Sequence, residues 1–294
     1  MNMSDMIGRF GMGWLPDYPD FRDYTCAKSI VNAMLSRVGL DKPAKETLPS
    51  SADLRGWCSP IENQGSLGSC TANAGVGMVE YFERRAFGKH VDGSRLFLYK
   101  VTRNLTHSKG DTGSFLRSTM GALVLFGVPP EEYWPYVVED FDKEPTPFCY
   151  AYAQNYQTIN YYRLDPPGTA TPNLLLQIKT NLSAGLPSMF GFTVYSSYTQ
   201  SATTGKIPYP ATGEKIAGGH AIVAVGYDDT MKIKNANSNG AETTGALLIR
   251  NSWGTDWGMA GYGWLPYEYV LKGLAQDWWS LLKNEWIDTG AFKI

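Results

Sequence analysis

The order of its hydrophobic periods constrains this chain most. Through the earlier part apolar residues recur at helical spacing. One such pattern opens at Ser69-Cys70, runs through Val76, Val79, Tyr81 and Phe82 and stops at Gly88, a glycine where a helix C-terminus wants one. A second spans Gly113 to Phe126, and a third spans Pro172 to Ala184, with proline near its first turn and Gly185 after its end. Beyond Ser188 the period changes to strand-like runs at Ser188–Tyr195, His220–Tyr227, Met231–Lys234 and Ala246–Ser252, separated by turn-rich loops. Helices first and strands second predict an α+β fold with a seam between two halves. Residues 1–47 are punctuated by Gly11, Gly13, Pro16, Pro19, Gly39 and Pro43, with one short amphipathic helix expected around Ser29–Val38, and read as an appendage. The Tyr- and Pro-rich stretch from Val137 to Pro167 carries no assignable pattern.

Composition excludes several functions. The 294 residues are 43% hydrophobic and carry a net charge of −2, enough apolar material for a sizeable core and no electrostatic footprint for nucleic acid. Four cysteines, Cys26, Cys58, Cys70 and Cys149, are too few and too scattered for a disulfide scaffold and lack zinc-ligand spacing, so no metal is expected. With three histidines, His90, His107 and His220, a multi-imidazole centre is hard to build, whereas thiol chemistry needs one cysteine and one histidine. No apolar run has the length of a signal peptide core or a spanning helix, and the expectation is a soluble chain without a membrane partner.

The segment Asn63-Gln64-Gly65-Ser66-Leu67-Gly68-Ser69-Cys70 delivers a cysteine from a glycine-rich loop to the first turn of a helix, where unpaired backbone N–H groups and the helix dipole favour a thiolate. For a lone cysteine, a buried structural residue is the better reading. The rest of the chain decides. His220 follows two glycines at the mouth of the apolar run Ala221–Val225, and Asn251 follows later in Arg250-Asn251-Ser252-Trp253-Gly254. Cys, then His, then Asn far downstream is the order of one class of thiol hydrolases.

These three blocks resemble those of the papain and cathepsin family of cysteine peptidases. Asp53-Leu54-Arg55, Asp111-Thr112-Gly113-Ser114, Gly127-Val128, Trp134-Pro135-Tyr136 and Gly261-Tyr262-Gly263 extend the resemblance over residues 48–294, and it is nearest to bacterial members with a short N-terminal extension. The resemblance implies a two-lobed fold, a helical lobe over about residues 60–165 and an antiparallel β-barrel-like lobe over about 166–294, with the site between them. It implies Cys70 as nucleophile, paired as a thiolate with an imidazolium at His220, and Asn251 holding the ring. Gln64 and the Cys70 backbone N–H would form the oxyanion hole, Trp253 would cover the His220–Asn251 hydrogen bond, and Gly113 or Ser114 would pair with the substrate main chain. Leu67 stands where plant and lysosomal members have a disulfide-forming cysteine, and Thr71 where they usually have tryptophan.

The function so implied is hydrolysis of protein or peptide substrates through an acyl-thioester, by a monomer with no cofactor. Acyl transfer with the same triad, and a non-catalytic peptide-binding protein, are the competing readings. Residues 1–47 are expected either to act as a short prosegment that blocks the site or to brace the domain. His90 and His107, and the adjacent pairs Glu131-Glu132 and Asp228-Asp229, read as solvated loop and turn residues; Trp278, Trp279 and Trp286 read as core; and Cys26, Cys58 and Cys149 could include a disulfide.

Overall fold

A computed structural model describes residues 11–40, 48–156 and 160–292. In chain order the elements are β1 (Trp14–Leu15), α1 (Ser29–Arg37), β2 (Ser51–Asp53), α2 (Cys70–Phe87), α3 (Arg95–Leu105), β3 (Ser114–Phe115), α4 (Leu116–Leu125), α5 (Pro147–Ala153), β4 (Asn160–Arg163), α6 (Thr171–Ser183), β5 (Ser188–Tyr195), β6 (Ile216–Lys234), β7 (Glu242–Arg250), β8 (Tyr262–Pro266), α7 (Tyr267–Leu271), β9 (Ala275–Leu282) and α8 (Asn284–Asp288).

Helix α2 is buried at every position from Cys70 to Phe82, because it is wrapped by β6 on one side and by α3 and α4 on another. It ends where the glycine signal puts it: Gly88 takes φ 73° and donates its N–H to the Arg84 carbonyl. Helix α3 is absent from the sequence reading because charge hides its apolar face. Arg95, Lys100 and Arg103 are all buried on it and neutralised by Glu62, Glu131, Asp142 and Glu144. Its start is fixed by Ser94, whose Oγ accepts from the Phe97 N–H at 3.1 Å.

Seven of the strands form one antiparallel sheet in the order β4-β9-β5-β6-β7-β8, with β2 also paired to β6. The runs His220–Tyr227 and Met231–Lys234 belong to a single strand, continuous through an irregularity between Asp228 and Lys232. Strand β9 holds two of the late tryptophans inside the core: Trp278 stacks on Phe190 with centroids 3.9 Å apart, while Trp286 of α8 stacks on Phe82 at 4.9 Å. All four cysteines are free thiols, so the disulfide left open by the sequence does not form.

The N-terminal extension divides into two described parts. Helix α1 buries Val31, Met34 and Leu35 against β4 and α8, so residues around it brace the domain. Residues 11–15 instead run past the N-terminus of α2 and along β3, where β1 pairs in parallel, Trp14 with Ser114 and Leu15 with Phe115. Residues 1–10 and 41–47 of the extension lie outside the described residues.

Candidate active site

The loop before Cys70 is held by hydrogen bonds that take the place of a cross-link. The Asp111 carboxylate accepts the Gly68 N–H at 2.9 and 3.1 Å and the Tyr99 hydroxyl at 2.5 Å, and the Gly113 N–H donates to the Tyr99 oxygen at 3.1 Å. Behind the loop, Ser69 Oγ and Tyr136 Oη are 2.6 Å apart, and that hydroxyl donates to the Gln64 carbonyl at 3.0 Å. Cys70 is thereby set at the first turn of α2, fully buried, with the backbone N–H groups of Ala221, Gly13, Thr71 and Cys70 turned toward its sulfur.

His220 projects from β6, one residue before the Ala221 N–H that faces that sulfur. Its Nε2 is 2.8 Å from Asn251 Oδ1, which fixes Nε2 as the protonated nitrogen, because a carboxamide oxygen only accepts. The buried Nδ1 has no hydrogen-bond partner among the described residues. Asn251 is oriented in turn, its Oδ1 also accepting the Ser252 N–H at 2.8 Å and its Nδ2 donating to Tyr198 Oη at 3.3 Å. The Trp253 ring lies over the imidazole, centroids 4.6 Å apart. Gln64 is completely buried; Ser252 Oγ donates to its Oε1 at 2.5 Å, leaving Nε2 as the donor that faces the site.

That donor is already engaged by the chain itself. Gln64 Nε2 donates to the Gly11 carbonyl at 2.9 Å and the Leu67 carbonyl at 2.8 Å, the Gly11 N–H donates to the Gly65 carbonyl at 3.0 Å, and the Ser114 N–H donates to the Gly13 carbonyl at 2.8 Å. The approach is so close that only glycine fits: a Cβ on Gly11 would lie 1.9 Å from the Leu67 oxygen and one on Gly13 1.8 Å from the Gly68 oxygen. Gly113, at φ 73°, meets the same constraint, its Cβ falling 2.2 Å from the Gly13 oxygen. Gly113 and Ser114, expected to receive a substrate main chain, here receive residue 13.

Burial under this strap sets the electrostatics. Loss of water pushes the Cys70 thiol up to about 11 and His220 down to about 4, each in the direction that opposes its charged form. At the thiol the helix N-terminus favours the anion and burial opposes it.

Residues 48–277 match the sequence profile of the papain family of cysteine proteases. The chain belongs to that family. It is 34% identical over 223 residues to an uncharacterized peptidase C1-like protein of Acanthamoeba polyphaga mimivirus, covering 74% of this chain and 68% of that one. Against cathepsin K of Gallus gallus the identity is 30% over 219 residues, covering 73% of this chain, and the match spans only 58% of that longer relative. The crystal structure of xylellain, a cysteine protease from Xylella fastidiosa, superposes with a TM-score of 0.73 at 31% identity, covering 92% of this chain and 96% of that one. The fold is accordingly papain-like, helices set against an antiparallel sheet.

Within this papain-family scaffold the structure brings Gln64, Cys70, Gly113, Ser114, His220, Asn251 and Trp253 to one place. His107 is exposed and His90 half-buried, both away from it. Glu131 is a correction: it closes on the buried Arg95 guanidinium at 2.6 Å instead of facing water as a turn residue. Asp229 likewise holds Lys179 at 2.7 Å. No group of three or more His, Cys, Asp or Glu among the described residues could hold a metal, and no described helix is long and apolar enough to cross a membrane. Site residues not singled out in the sequence are Ser252, Tyr198 and Tyr99. Ser252 adjoins Asn251 and was in view; the others matter through contacts distant in sequence.

Proposed function

We propose that this chain is a cysteine endopeptidase whose first described residues hold it latent. Cys70 Sγ is the nucleophile, and His220 takes its proton at Nδ1, the nitrogen left open when Nε2–H is bound to Asn251. The thiolate adds to a peptide carbonyl, the imidazolium returns the proton to the leaving amine, and water, deprotonated by the same ring, then hydrolyses the thioester. Gln64 Nε2 and the Cys70 backbone N–H stabilise the oxyanion, Ser252 holding the carboxamide in the donating orientation.

The observation that carries this reading is the Gly11 carbonyl on Gln64 Nε2: a peptide oxygen of the chain's own backbone occupies the place the reaction requires for a substrate oxygen. The strap resists cleavage because it turns the Gly13 N–H toward the sulfur, offering a hydrogen-bond donor where a substrate would offer an electrophilic carbon. Protein and peptide chains are the partners such a main-chain-reading cleft accepts. A fluorogenic peptide assay on the full chain, on Gly13→Val and on Gly13→Val/Cys70→Ala tests both parts. The Cβ clash with Gly68 should expel the strap and raise turnover, and loss of the thiol should abolish it. Equal turnover by the full chain and Gly13→Val would refute latency, and turnover surviving the loss of Cys70 would refute the nucleophile.

A further inference from the structure

The two backbone walls of the site, at Gly68 and Gly113, are joined through side chains outside the candidate catalytic set. Gly68 lies two residues before Cys70 and Gly113 one residue before Ser114, and a Cβ on Gly68 would fall 3.4 Å from the Gly113 nitrogen. Both amide N–H groups are spent on one hydrogen-bonded chain. The Gly68 N–H donates to the Asp111 carboxylate, the Tyr99 hydroxyl donates to the same carboxylate, and the Gly113 N–H donates to the Tyr99 oxygen. The direction is fixed, because a carboxylate only accepts and an amide N–H only donates. Tyr99 is completely buried, and its ring lies against Arg103, four residues along α3, whose Cζ is 4.2 Å from the ring centroid. Arg103 is itself fully buried and pinned by Asp142 and by the carbonyls of Phe141 and Gly110, the latter being the residue before Asp111. The phenol oxygen thus has a fixed place.

What that oxygen holds is a peptide plane. Gly113 takes φ 73°, and a glycine has no side chain of its own to keep it there. The bond from its N–H to Tyr99 supplies the restraint, and the next amide, the Ser114 N–H, is aimed at the strap, donating to the Gly13 carbonyl at 2.8 Å. We propose that Tyr99 is a positioning residue for the reaction: by holding Gly113 it aims the Ser114 N–H at the substrate main chain and ties that wall to the loop that delivers Cys70. The inference rests on the peptidase reading and adds to it a residue that acts through Gly113 and not on substrate. Removing the phenol oxygen strands the buried Gly113 N–H, and the glycine is then free to turn and carry the Ser114 N–H out of line. Gly11 sits on Gln64 and Gly13 on Ser114, two residues apart, so the effect is confined to substrates that reach about 7 Å along an extended chain from the reacting carbonyl.

The test compares full-length Gly13→Val/Tyr99→Phe with Gly13→Val on two substrates, a peptide of several residues and a single-residue N-acyl ester that ends short of Ser114. For the peptide KM should rise by roughly 5- to 100-fold with kcat held within about twofold, the signature of lost uniform binding, and neither constant should move for the ester. An unchanged KM for the peptide, or a loss shared equally by the ester, overturns the inference while leaving the peptidase reading intact. The second readout needs no activity: amide hydrogen exchange, read by NMR, in full-length Tyr99→Phe and in the wild type. Exchange at Ser114 should quicken by roughly 10-fold or more while the amides of α2 from Val76 to Phe82 keep their protection. If neither substrate is turned over the peptidase reading fails, and the exchange still decides what Tyr99 does, since an unchanged rate at Ser114 overturns the inference.

Discussion

Replacing Trp14 by alanine removes the anchor of the strap and nothing of the candidate catalytic set. The indole is nearly fully buried between Gly191 and Gly219 and is hydrogen-bonded to Asp277. Truncating a buried aromatic to alanine costs about 3–5 kcal/mol. Because the strap is otherwise held near the site by only a few main-chain hydrogen bonds, most of that loss falls on the closed arrangement. At the lower end, 3 kcal/mol multiplies the open-to-closed ratio by about 150. An epoxysuccinyl inhibitor reads this ratio directly, since it reaches Cys70 only when Gly11 and Gly13 are displaced. With a strap closed more than 99% of the time, the second-order rate of inactivation should rise by about 100-fold in Trp14→Ala. Circular dichroism should show an unchanged fold, because α1 and the Arg117 contacts to Asp17 and Asp23 hold the rest of the extension. An inactivation rate equal to that of the wild type would refute the reasoning, for it would mean that the strap does not limit access to the thiol.

Three further outcomes follow from the site's neighbours. Gln64→Ala removes an oxyanion donor and should lower kcat by about 10²–10³ with KM little changed, measured in a strap-released background such as Gly13→Val. Asp111→Ala unties Gly68 from the Tyr99–Gly113 side of the site; a loss of about 1–3 kcal/mol for the stranded N–H should appear as a lower melting temperature, together with a fall in kcat/KM that Asp111→Asn partly restores. Glu80 is buried beside Ser59 and Gly93, and burial raises it to about 7 despite the nearby Arg250. Since its folded value lies above its ordinary 4.5, the folded chain keeps a proton that the unfolded chain releases. Stability should therefore fall as pH rises from about 4.5 to about 7, by on the order of 3 kcal/mol, and Glu80→Gln should flatten that slope in urea titrations across the pH range.

Much of the site was legible because its pieces announce themselves locally. A glycine-rich loop feeding a helical period at Cys70, two glycines before His220, and Asn251 closing an apolar run are visible without any tertiary contact. Gly88 and Gly185 marked helix ends for the same reason. What stayed hidden depends on neighbours distant in the chain. Arg95, Lys100 and Arg103 disguise α3 as a polar segment until their carboxylate partners are in place, and Trp278 and Trp279 read as core without showing the strand β9 that carries them. Gly11 and Gly13 read as loop residues; that they admit the backbone of Leu67 and Gly68 is a property of the folded contact alone. The same is true of the complete burial of Cys70 and His220, since no sequence pattern reports how far a distant segment excludes water.

The central claim is that Cys70 is the nucleophile of a peptidase. Labelling full-length Trp14→Ala with an epoxysuccinyl inhibitor, then locating the adduct by peptide mapping beside a peptide-cleavage assay of the same sample, tests it most directly. The account predicts one adduct, on Cys70, with Cys26, Cys58 and Cys149 unmodified, cleavage lost in proportion to labelling, and neither labelling nor cleavage in Trp14→Ala/Cys70→Ala. An adduct on another cysteine, or peptide cleavage that persists after Cys70 is fully modified or replaced, would contradict it.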